Sequence, residues 1–394
     1  AEFQLGSDPN WNGVIGQNHL MAEIHGTSEP EYSKLGELLS STIDNGKDVG
    51  ASVSVTVDGE TVIDIWGGWA DEAKTRPWEA DTIVNVYSTT KTMTALTALL
   101  IADRGDLDFD APVAKYWPEF AQNGKAEVTV AHLMSHSSGL SGWEEPITRE
   151  DLYDWDKATS LLAAQAPWWE PGTQVGYHAI TQGYLVGEVV RRITGKSLGT
   201  VFREEIAEPL DADFHIGLAA EHDHRVADLI PPKAGAAQAA ANNIQRKTFT
   251  NPPIDPFDTR SREWRGAEIP AAGGTGNARS VAEIHALLAN GGIAKGKRIL
   301  SEAGCRKALE LQIEGNDLVL MGLPLKFGLG FGLTGQVVQL PNENSIFWGG
   351  YGGSQIVIDM ENRATYCYVM NKMGEGLLGD MRSADLIGAA RAAS

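Results

Sequence analysis

The sequence predicts a mixed α/β (α+β) fold in which one discontinuous α/β domain holds a mostly helical insertion. Two β-hairpin patterns, one near each end of the chain, carry this prediction, and short helices with long polar loops lie between them. A hairpin and a helix from each end can pack into layers around one shared core. We therefore assign residues 8–107 and 281–394 to the α/β domain and residues 108–280 to the helical domain. We interpret residues 1–7 as a cloning scar.

The first part of the chain contains a helix and then the clearest hairpin pattern. Apolar residues at helical spacing predict a helix over residues 31–45. Residues 51–57 and 60–66 alternate between apolar and polar side chains on both sides of Asp58-Gly59. Asp-Gly favours the tight turn of a hairpin, because that turn needs a positive φ at both positions. These residues therefore predict two paired strands.

The rest of the chain contains a further helix, a loop and the second hairpin. Apolar residues on one face predict a helix over Tyr184–Ile193, whereas the Pro/Gly-rich tract Ile230–Pro270 predicts a loop. Two β-rich runs, over residues 355–360 and 364–370, predict paired strands joined by a turn. Helical spacing over residues 377–392 predicts a closing helix.

Composition excludes several classes of partner. The chain has 394 residues, of which 42% are hydrophobic and 21% charged, as is ordinary for a globular protein. A net charge of −20 argues against nucleic acid and anionic membrane, because both are polyanions. Cys305 and Cys367 form neither a disulfide framework nor a metal-ligand cluster. No apolar run reaches membrane-spanning length and no signal sequence opens the chain, so we expect a cytoplasmic protein by default.

Ser88 and Lys91 are the candidate catalytic pair. The segment before Ser88 is too β-branched to favour a helix, whereas the apolar spacing after it is helical and ends at Arg104-Gly105. Ser88 therefore lies at or near a helix N-terminus, with Lys91 one turn later on the same face. A desolvated lysine can take the proton of a serine hydroxyl, and helix N–H groups can stabilise an oxyanion. The alternative is a Ser/Thr-rich N-cap followed by a surface lysine.

Three further stretches complete a motif set. They are residues 132–140 (HLMSHSSGL), residues 170–178 (EPGTQVGYH) and residues 347–354 (FWGGYGGS). With Ser88-Thr89-Thr90-Lys91, their order and spacing resemble those of the serine hydrolases with the class C β-lactamase fold, and more narrowly the family VIII carboxylesterases. The resemblance runs from about Val53 to Met370. It implies a β-lactamase/transpeptidase-like fold, with an antiparallel sheet flanked by helices, a mostly helical domain, and the site between them.

The resemblance also implies catalytic roles. Tyr177 would form a proton-transfer pair with Lys91, either as a phenolate beside a cationic lysine or as a relay beside a neutral one. The backbone N–H groups of Ser88 and Tyr351 would form the oxyanion hole. The alternatives without a catalytic role are an ordinary core tyrosine at 177 and a tight glycine turn around 351.

Two positions depart from the β-lactamase pattern. Trp348, followed by Gly349 and Gly350, stands where β-lactamases carry a lysine that helps to bind the substrate carboxylate. Ala179 stands where they carry an asparagine that contacts the substrate amide. We therefore expect Trp348, Gly349 and Gly350 to contact an uncharged substrate.

Together these residues predict a serine carboxylesterase that hydrolyses short-chain neutral esters through an acyl-enzyme on Ser88. We expect a small-molecule ester as substrate, without a cofactor or metal. The alternatives are a β-lactamase or D-Ala-D-Ala peptidase, and a catalytically silent binding module on the same fold. Four tryptophans in the helical domain could wall an apolar substrate pocket or belong to the core: Trp143, Trp155, Trp168 and Trp169.

Several other residues match catalytic or metal-binding motifs, but we interpret them as structural. Ser197 lies in a Gly-x-Ser-x-Gly match, but that motif needs a strand-to-helix turn, and here helical spacing lies on both sides. Ser197 is therefore a possible N-cap after a C-capping Gly195. We interpret His132 and His136 as structural. The run His222-Asp223-His224 has no third metal ligand nearby in sequence and predicts a solvated loop.

Overall fold

The computed structural model describes residues 21–233 and 242–393, and it has the predicted mixed fold of helices and an antiparallel sheet. The residues interpreted as a cloning scar lie outside this range. The strands, numbered in chain order, are β1 Ile24–Ser28, β2 Gly50–Val57, β3 Glu60–Gly68, β4 Val84–Asn85, β5 Thr275–Gly276, β6 Ile293–Ala294, β7 Lys297–Arg298, β8 Ile313–Asn316, β9 Pro324–Phe327, β10 Gly332–Leu333, β11 Ser345–Gly349, β12 Gln355–Asp359 and β13 Ala364–Met370.

Helices flank the sheet and fill the middle of the chain. They are α1 Ser33–Asp44, α2 Thr90–Asp103, α3 Val130–Met134, α4 Trp155–Ala164, α5 Thr181–Thr194, α6 Leu198–Phe202, α7 Asn243–Thr250, α8 Arg262–Gly266, α9 Ala278–Ala289, α10 Glu302–Arg306 and α11 Met381–Ala393. None of the helices in the described part of the chain combines the length and apolar character needed to cross a membrane.

The main sheet is assembled from both ends of the chain. Its order is β1-β3-β2-β13-β12-β11-β10-β9-β8, and every neighbouring pair is antiparallel. Within the described residues, the chain between β3 and β8 contributes no strand to this sheet. This topology fits the predicted helical insertion, whose limits at residues 108 and 280 stay a prediction.

Helices cover both faces of the sheet at its centre. Successive side chains of a strand point to opposite faces. On one face, the hydroxyl of Ser52 accepts the N–H of Ala278 at 3.2 Å, and the hydroxyl of Thr365 donates to a carbonyl of α9 at 3.1 Å. On the other face, the Tyr368 ring lies 5.9 Å from the Arg382 guanidinium of α11. Strands β2 and β13 are therefore buried on both sides.

The predicted hairpins are present, and the Asp58-Gly59 turn has the expected geometry. Val57 pairs with Glu60, and Asp58 and Gly59 have φ values of 51° and 85°. The second hairpin joins β12 to β13 through residues 360–363, with Asp359 opposite Ala364. Both turns therefore follow from local sequence.

Two predicted elements differ from the structure. The closing helix begins at Met381 rather than 377, because Gly379 has a φ of 89° and the Asp380 carboxylate accepts the N–H of Arg382 at 2.9 Å. The described parts of the Ile230–Pro270 tract contain α7 and α8 rather than loop alone. Each has a side-chain N-cap, from Asn242 and Ser261 respectively, which the prolines and glycines of the tract obscured.

Candidate active site

Ser88 lies in a 3₁₀ turn, Tyr87–Thr89, that connects β4 to α2. Tyr87 has a φ of 44°, which a residue with a side chain adopts only when its surroundings hold it there. The Asn85 side chain accepts the Tyr87 N–H at 3.0 Å, and the Thr90 hydroxyl donates to the Tyr87 carbonyl at 2.5 Å. The turn before the helix therefore holds Ser88 in a defined position.

Three of the predicted residues meet at the Ser88 hydroxyl. Lys91 Nζ lies 3.0 Å from Ser88 Oγ, and the Tyr177 hydroxyl lies 2.5 Å from the same atom. Lys91 Nζ is also 4.7 Å from the centroid of the Tyr177 ring. Ser88 and Tyr177 are 89 residues apart in sequence, so only tertiary structure brings them together.

The surroundings of Lys91 favour a neutral amine. The side chain is 1% exposed, and burial lowers its pKa well below the usual value for lysine. Nζ lies 2.7 Å from the Ala179 carbonyl oxygen and 2.9 Å from that of Ala271. A neutral amine has two N–H bonds for these two carbonyls and one lone pair. The remaining neighbour is Ser88 Oγ, so this arrangement suits a base for the Ser88 proton.

Tyr177 is also favoured in its uncharged form. Burial raises the pKa of its hydroxyl, although the hydrogen bond to Ser88 opposes this shift. Because burial disfavours charge on both side chains, the resting arrangement of a neutral Lys91 and a protonated Tyr177 fits the relay better than the phenolate.

The glycine turn between β11 and β12 packs directly against the nucleophile. A side chain at Gly350 would place its Cβ 2.2 Å from the Val86 carbonyl oxygen and 3.3 Å from the Ser88 nitrogen. Only glycine therefore allows this approach. Tyr351, the next residue, lines the cavity in front of Ser88. The turn thus places Tyr351 at the cavity, and the role of its N–H in the oxyanion hole stays a prediction.

Trp348 and Gly349 lie behind this surface. Trp348 is 1% exposed, and its ring is 5.5 Å from that of Tyr177 and 5.9 Å from that of His136. A Cβ at Gly349 would lie 2.5 Å from the backbone of Leu378. Neither residue is among the described residues that line the cavity. Trp348 belongs instead to a buried cluster with Tyr177 and Ala179, which do line the cavity, so it supports the cavity wall from behind.

The cavity in front of Ser88 is small and mostly apolar. Its volume is about 150 Å³, and it contains no charged side chain among the described lining residues. One wall comes from the tract predicted to be a loop, which sequence analysis did not connect to the site. The lining residues are Tyr87, Ser88, Tyr177, Ala179, Ile180, Thr248, Phe249, Pro252, Ile254, Pro256, Ala272, Tyr351 and Leu377.

The four tryptophans do not wall this cavity. Trp143 is buried in the main core, where its indole N–H donates to the Ala158 carbonyl at 2.9 Å. Trp155 and Trp168 donate to the carboxylates of Glu188 and Glu144, and Trp169 donates to a backbone carbonyl. Trp143 and Trp169 are buried and Trp155 packs against the main core, as the core alternative expects, whereas Trp168 is only half-buried.

The other residues that matched catalytic or metal-binding motifs in the sequence have structural contacts. Ser197 caps α6, donates to Glu268 at 2.6 Å and follows Gly195, whose φ is 71°. His132 forms a capping box with Thr129. The run 222–224 lies in a 3₁₀ helix rather than a loop, and Asp223 pairs with Arg262 at 2.6 Å.

His136 and Asp317 hold the segment that carries Tyr177. The backbone N–H of His178 donates to His136 Nδ1 at 3.0 Å, and burial lowers the pKa of His136 well below its usual value, so the ring is a neutral acceptor. Asp317 Oδ1 accepts the backbone N–H of Tyr177 at 3.1 Å. Asp317 was missed because no local motif marks it.

Comparison with known proteins gives the family. A family model described as Beta-lactamase matches residues 39–389. The esterase/beta-lactamase LipL of Mycobacterium tuberculosis is 36% identical over 376 residues, which cover 89% of this chain and 83% of that protein. The crystal structure of a family VIII carboxylesterase is 41% identical, with a TM-score of 0.90 over 94% of this chain and 100% of that one.

A penicillin-binding protein homologue from Caulobacter crescentus is also similar, with 36% identity and a TM-score of 0.88 over 94% of this chain and 100% of that one. The match to the family model spans both hairpins, the helical insertion and all four motifs. The chain therefore belongs to the Beta-lactamase family and is a serine hydrolase, and its predicted resemblance to the family VIII carboxylesterases is confirmed.

Proposed function

We propose that this protein is a carboxylesterase that hydrolyses short-chain neutral esters through an acyl-enzyme on Ser88. The observation that carries the proposal is the position of Ser88 Oγ, 3.0 Å from Lys91 Nζ and 2.5 Å from the Tyr177 hydroxyl, at the floor of an apolar cavity. The names of the relatives agree, because one is a family VIII carboxylesterase and another an esterase/beta-lactamase.

The proposed reaction has two half-reactions. Ser88 Oγ attacks the ester carbonyl carbon while its proton passes to the Lys91–Tyr177 pair, and the backbone N–H groups of Ser88 and Tyr351 stabilise the oxyanion. The bond to the alcohol oxygen then breaks, and the pair returns the proton to the departing alkoxide. Water attacks the acyl-enzyme with the same pair as base, and the carboxylic acid leaves as Ser88 recovers its proton.

The size and polarity of the cavity support a short, uncharged acyl group. A volume of about 150 Å³ resembles that of an engineered protein cavity that binds benzene. A substrate carboxylate would lose its hydration there without a cationic partner among the described lining residues, at a cost of several kcal/mol. This cost separates the proposal from the alternative of a β-lactamase, whose substrates carry a carboxylate beside the reacting carbonyl.

A panel of p-nitrophenyl esters measured beside a chromogenic cephalosporin tests the proposal. We expect kcat/KM for the acetate and butyrate esters to exceed that for the octanoate ester, and to exceed that for the cephalosporin by about a hundredfold or more. Equal turnover of the cephalosporin and the esters would contradict the assignment of a neutral substrate.

A matched pair of phenylalanines tests the role of the cavity wall. Phe249 lines the cavity, whereas Phe257 is 53% exposed and does not. Phe249→Ala should shift the preference towards longer acyl chains by about tenfold, since removal of a ring enlarges the apolar pocket. Phe257→Ala should leave the preference unchanged. An unchanged profile in Phe249→Ala would mean that the acyl chain lies elsewhere.

A further inference from the structure

Asp317 is a buried carboxylate that the proposed reaction does not use. It is fully buried, and within the described structure its Oδ2 atom has no hydrogen-bond partner. An unpaired oxygen of a buried carboxylate is costly, and an apolar residue of similar size would avoid that cost. The cost of burying this carboxylate must be offset by another role, and the hydrogen bonds to its Oδ1 atom indicate which one.

Asp317 Oδ1 is a fixed acceptor site. It accepts the N–H groups of Val319 and Leu320, both at 2.8 Å, within its own turn between β8 and β9. The backbone closes the same turn, because the Asp317 N–H donates to the Leu323 carbonyl at 2.9 Å and the Gly322 N–H donates to the Asp317 carbonyl at 2.9 Å. The carboxylate is therefore held rigidly before it contacts the rest of the protein.

The third donor to Asp317 Oδ1 is the backbone N–H of Tyr177, at 3.1 Å. Beside it, the Leu318 N–H donates to the Val175 carbonyl at 3.0 Å, so the turn and the Tyr177 segment form two adjacent hydrogen bonds. The neighbouring amides of Gly176 and His178 donate to His136, through its carbonyl oxygen and Nδ1, each at 3.0 Å. Three consecutive N–H groups are thus bound, and Asp317 binds the one that belongs to Tyr177 itself.

We propose that Asp317 is a positioning residue that sets the distance between the Tyr177 hydroxyl and Ser88, an inference that rests on the proposed function. The residue touches neither the nucleophile nor the cavity, so it acts through the Tyr177 backbone. A small displacement of that backbone moves the hydroxyl away from a contact that is only 2.5 Å long. Proton transfer depends steeply on such positioning, and displacements of about 1 Å can lower rates a hundredfold.

The test compares Asp317→Ala, which removes the acceptor, with Asp317→Asn, which keeps an oxygen in the same place. We expect Asp317→Ala to lower kcat for p-nitrophenyl acetate by about tenfold to a hundredfold, with KM changed less than about threefold. Asp317→Asn should retain kcat within about threefold of the wild-type value, even if its thermal midpoint falls. An Asp317→Asn enzyme that is as slow as Asp317→Ala would contradict the proposal, since the acceptor oxygen would then not suffice.

Asp359→Ala is the matched control for lost stability. Asp359 is also a buried carboxylate, and its Oδ1 accepts the N–H groups of Glu361 and Asn362 at 3.1 and 2.9 Å, at the end of β12 remote from Ser88. This variant should lose thermal stability and keep kcat. If Asp317→Ala, folded by circular dichroism, also keeps kcat, Asp317 only caps its turn and the proposal is wrong.

If Asp317→Ala does not fold, a backbone substitution at Tyr177 tests the same hydrogen bond. Replacing Tyr177 by its α-hydroxy acid analogue through nonsense suppression exchanges the backbone N–H for an ester oxygen, which cannot donate to Asp317, and keeps the phenol. We expect the same fall in kcat as for Asp317→Ala, and full kcat would overturn the proposal. Failure of the proposed function would look different, because the wild-type enzyme itself would then hydrolyse no ester.

Discussion

Among the described residues, two lysines with almost completely buried side chains differ in one contact. Lys91 and Lys125 are 1% and 0% exposed, and both lie against two backbone carbonyl oxygens. Lys125 donates to the carbonyls of Gln122 and Gln165 and lies 5.2 Å from the ring of Phe120. The third polar neighbour of Lys91 is the Ser88 hydroxyl.

Burial shifts the pKa of both lysines in the same direction. It lowers the pKa of Lys125 to about 8 and that of Lys91 well below its usual value. A lowered pKa therefore does not distinguish a base from a structural lysine. The distinction lies in the hydroxyl that faces the third position of the amine, and in the cavity that gives a substrate access to that hydroxyl.

The largest expected effect is a loss of ester hydrolysis, in a variant without the Ser88 hydroxyl that only Lys91 of the two lysines contacts. Ser88→Ala should abolish ester hydrolysis, because it removes the nucleophile and leaves Lys91 against two carbonyls only, as Lys125 lies. An organophosphonate should add one covalent adduct, which peptide mass spectrometry should locate at Ser88 in the wild type. Ser197→Ala is the control and should keep nearly full activity, with a modest loss of stability from its cap. An adduct on Ser197 would contradict the assignment of Ser88 as the nucleophile.

The second effect comes from replacing each lysine in turn. Lys91→Met should lower kcat by about a thousandfold, within the range that general base catalysis contributes, and should leave the fold intact. Lys125→Met should change kcat less than about threefold, because its amine faces no reacting group. Steady-state kinetics on p-nitrophenyl acetate measures both. Equal losses in the two variants would show that burial, rather than the contact with Ser88, explains the Lys91 effect.

The third effect concerns Tyr177, which shares the Ser88 hydroxyl with Lys91. Tyr177→Phe should lower kcat by a similar factor to Lys91→Met, and the double variant should be little slower than either single one. Residues that act as one unit are strongly non-additive. If the two losses multiply instead, as a double-mutant cycle would reveal, the two side chains act independently and the shared proton-transfer model is wrong.

The smallest expected effect is a pH dependence of the free energy of unfolding, caused by Lys125. Its pKa is about 8 in the folded protein against 10.5 in the unfolded chain, so the unfolded chain holds more protons between these values. The free energy of unfolding of the wild type should therefore rise relative to that of Lys125→Met as pH increases from about 8 to 10.5. Urea titrations at four pH values measure this difference. A difference that stays constant would mean that Lys125 keeps its ordinary pKa.

Local sequence was sufficient for the features that depend on neighbouring residues. The three-residue spacing across the 3₁₀ turn and the start of α2 places Lys91 one turn after Ser88, and the backbone preferences of Asp58 and Gly59 give the hairpin turn. The same local patterns identified Ser197 as a cap, and they predicted the mixed fold from a hairpin at each end of the chain. For the helix, the turn and the cap, the interacting residues lie within a few positions of one another, whereas the pairing of β2 with β13 joins the two ends of the chain.

Tertiary structure decided the contacts that join distant segments. Asp317 meets the Tyr177 backbone across 140 residues, and the cavity wall comes from residues 248–256, in a tract whose prolines and glycines predicted only loop. The indole of Trp348 packs behind Tyr177 and not in the cavity. Periodicity and propensity report which face of a segment is buried, but not which distant segment covers it. That choice depends on the packing of the whole core around α2, whose residues 90–101 are buried on every side.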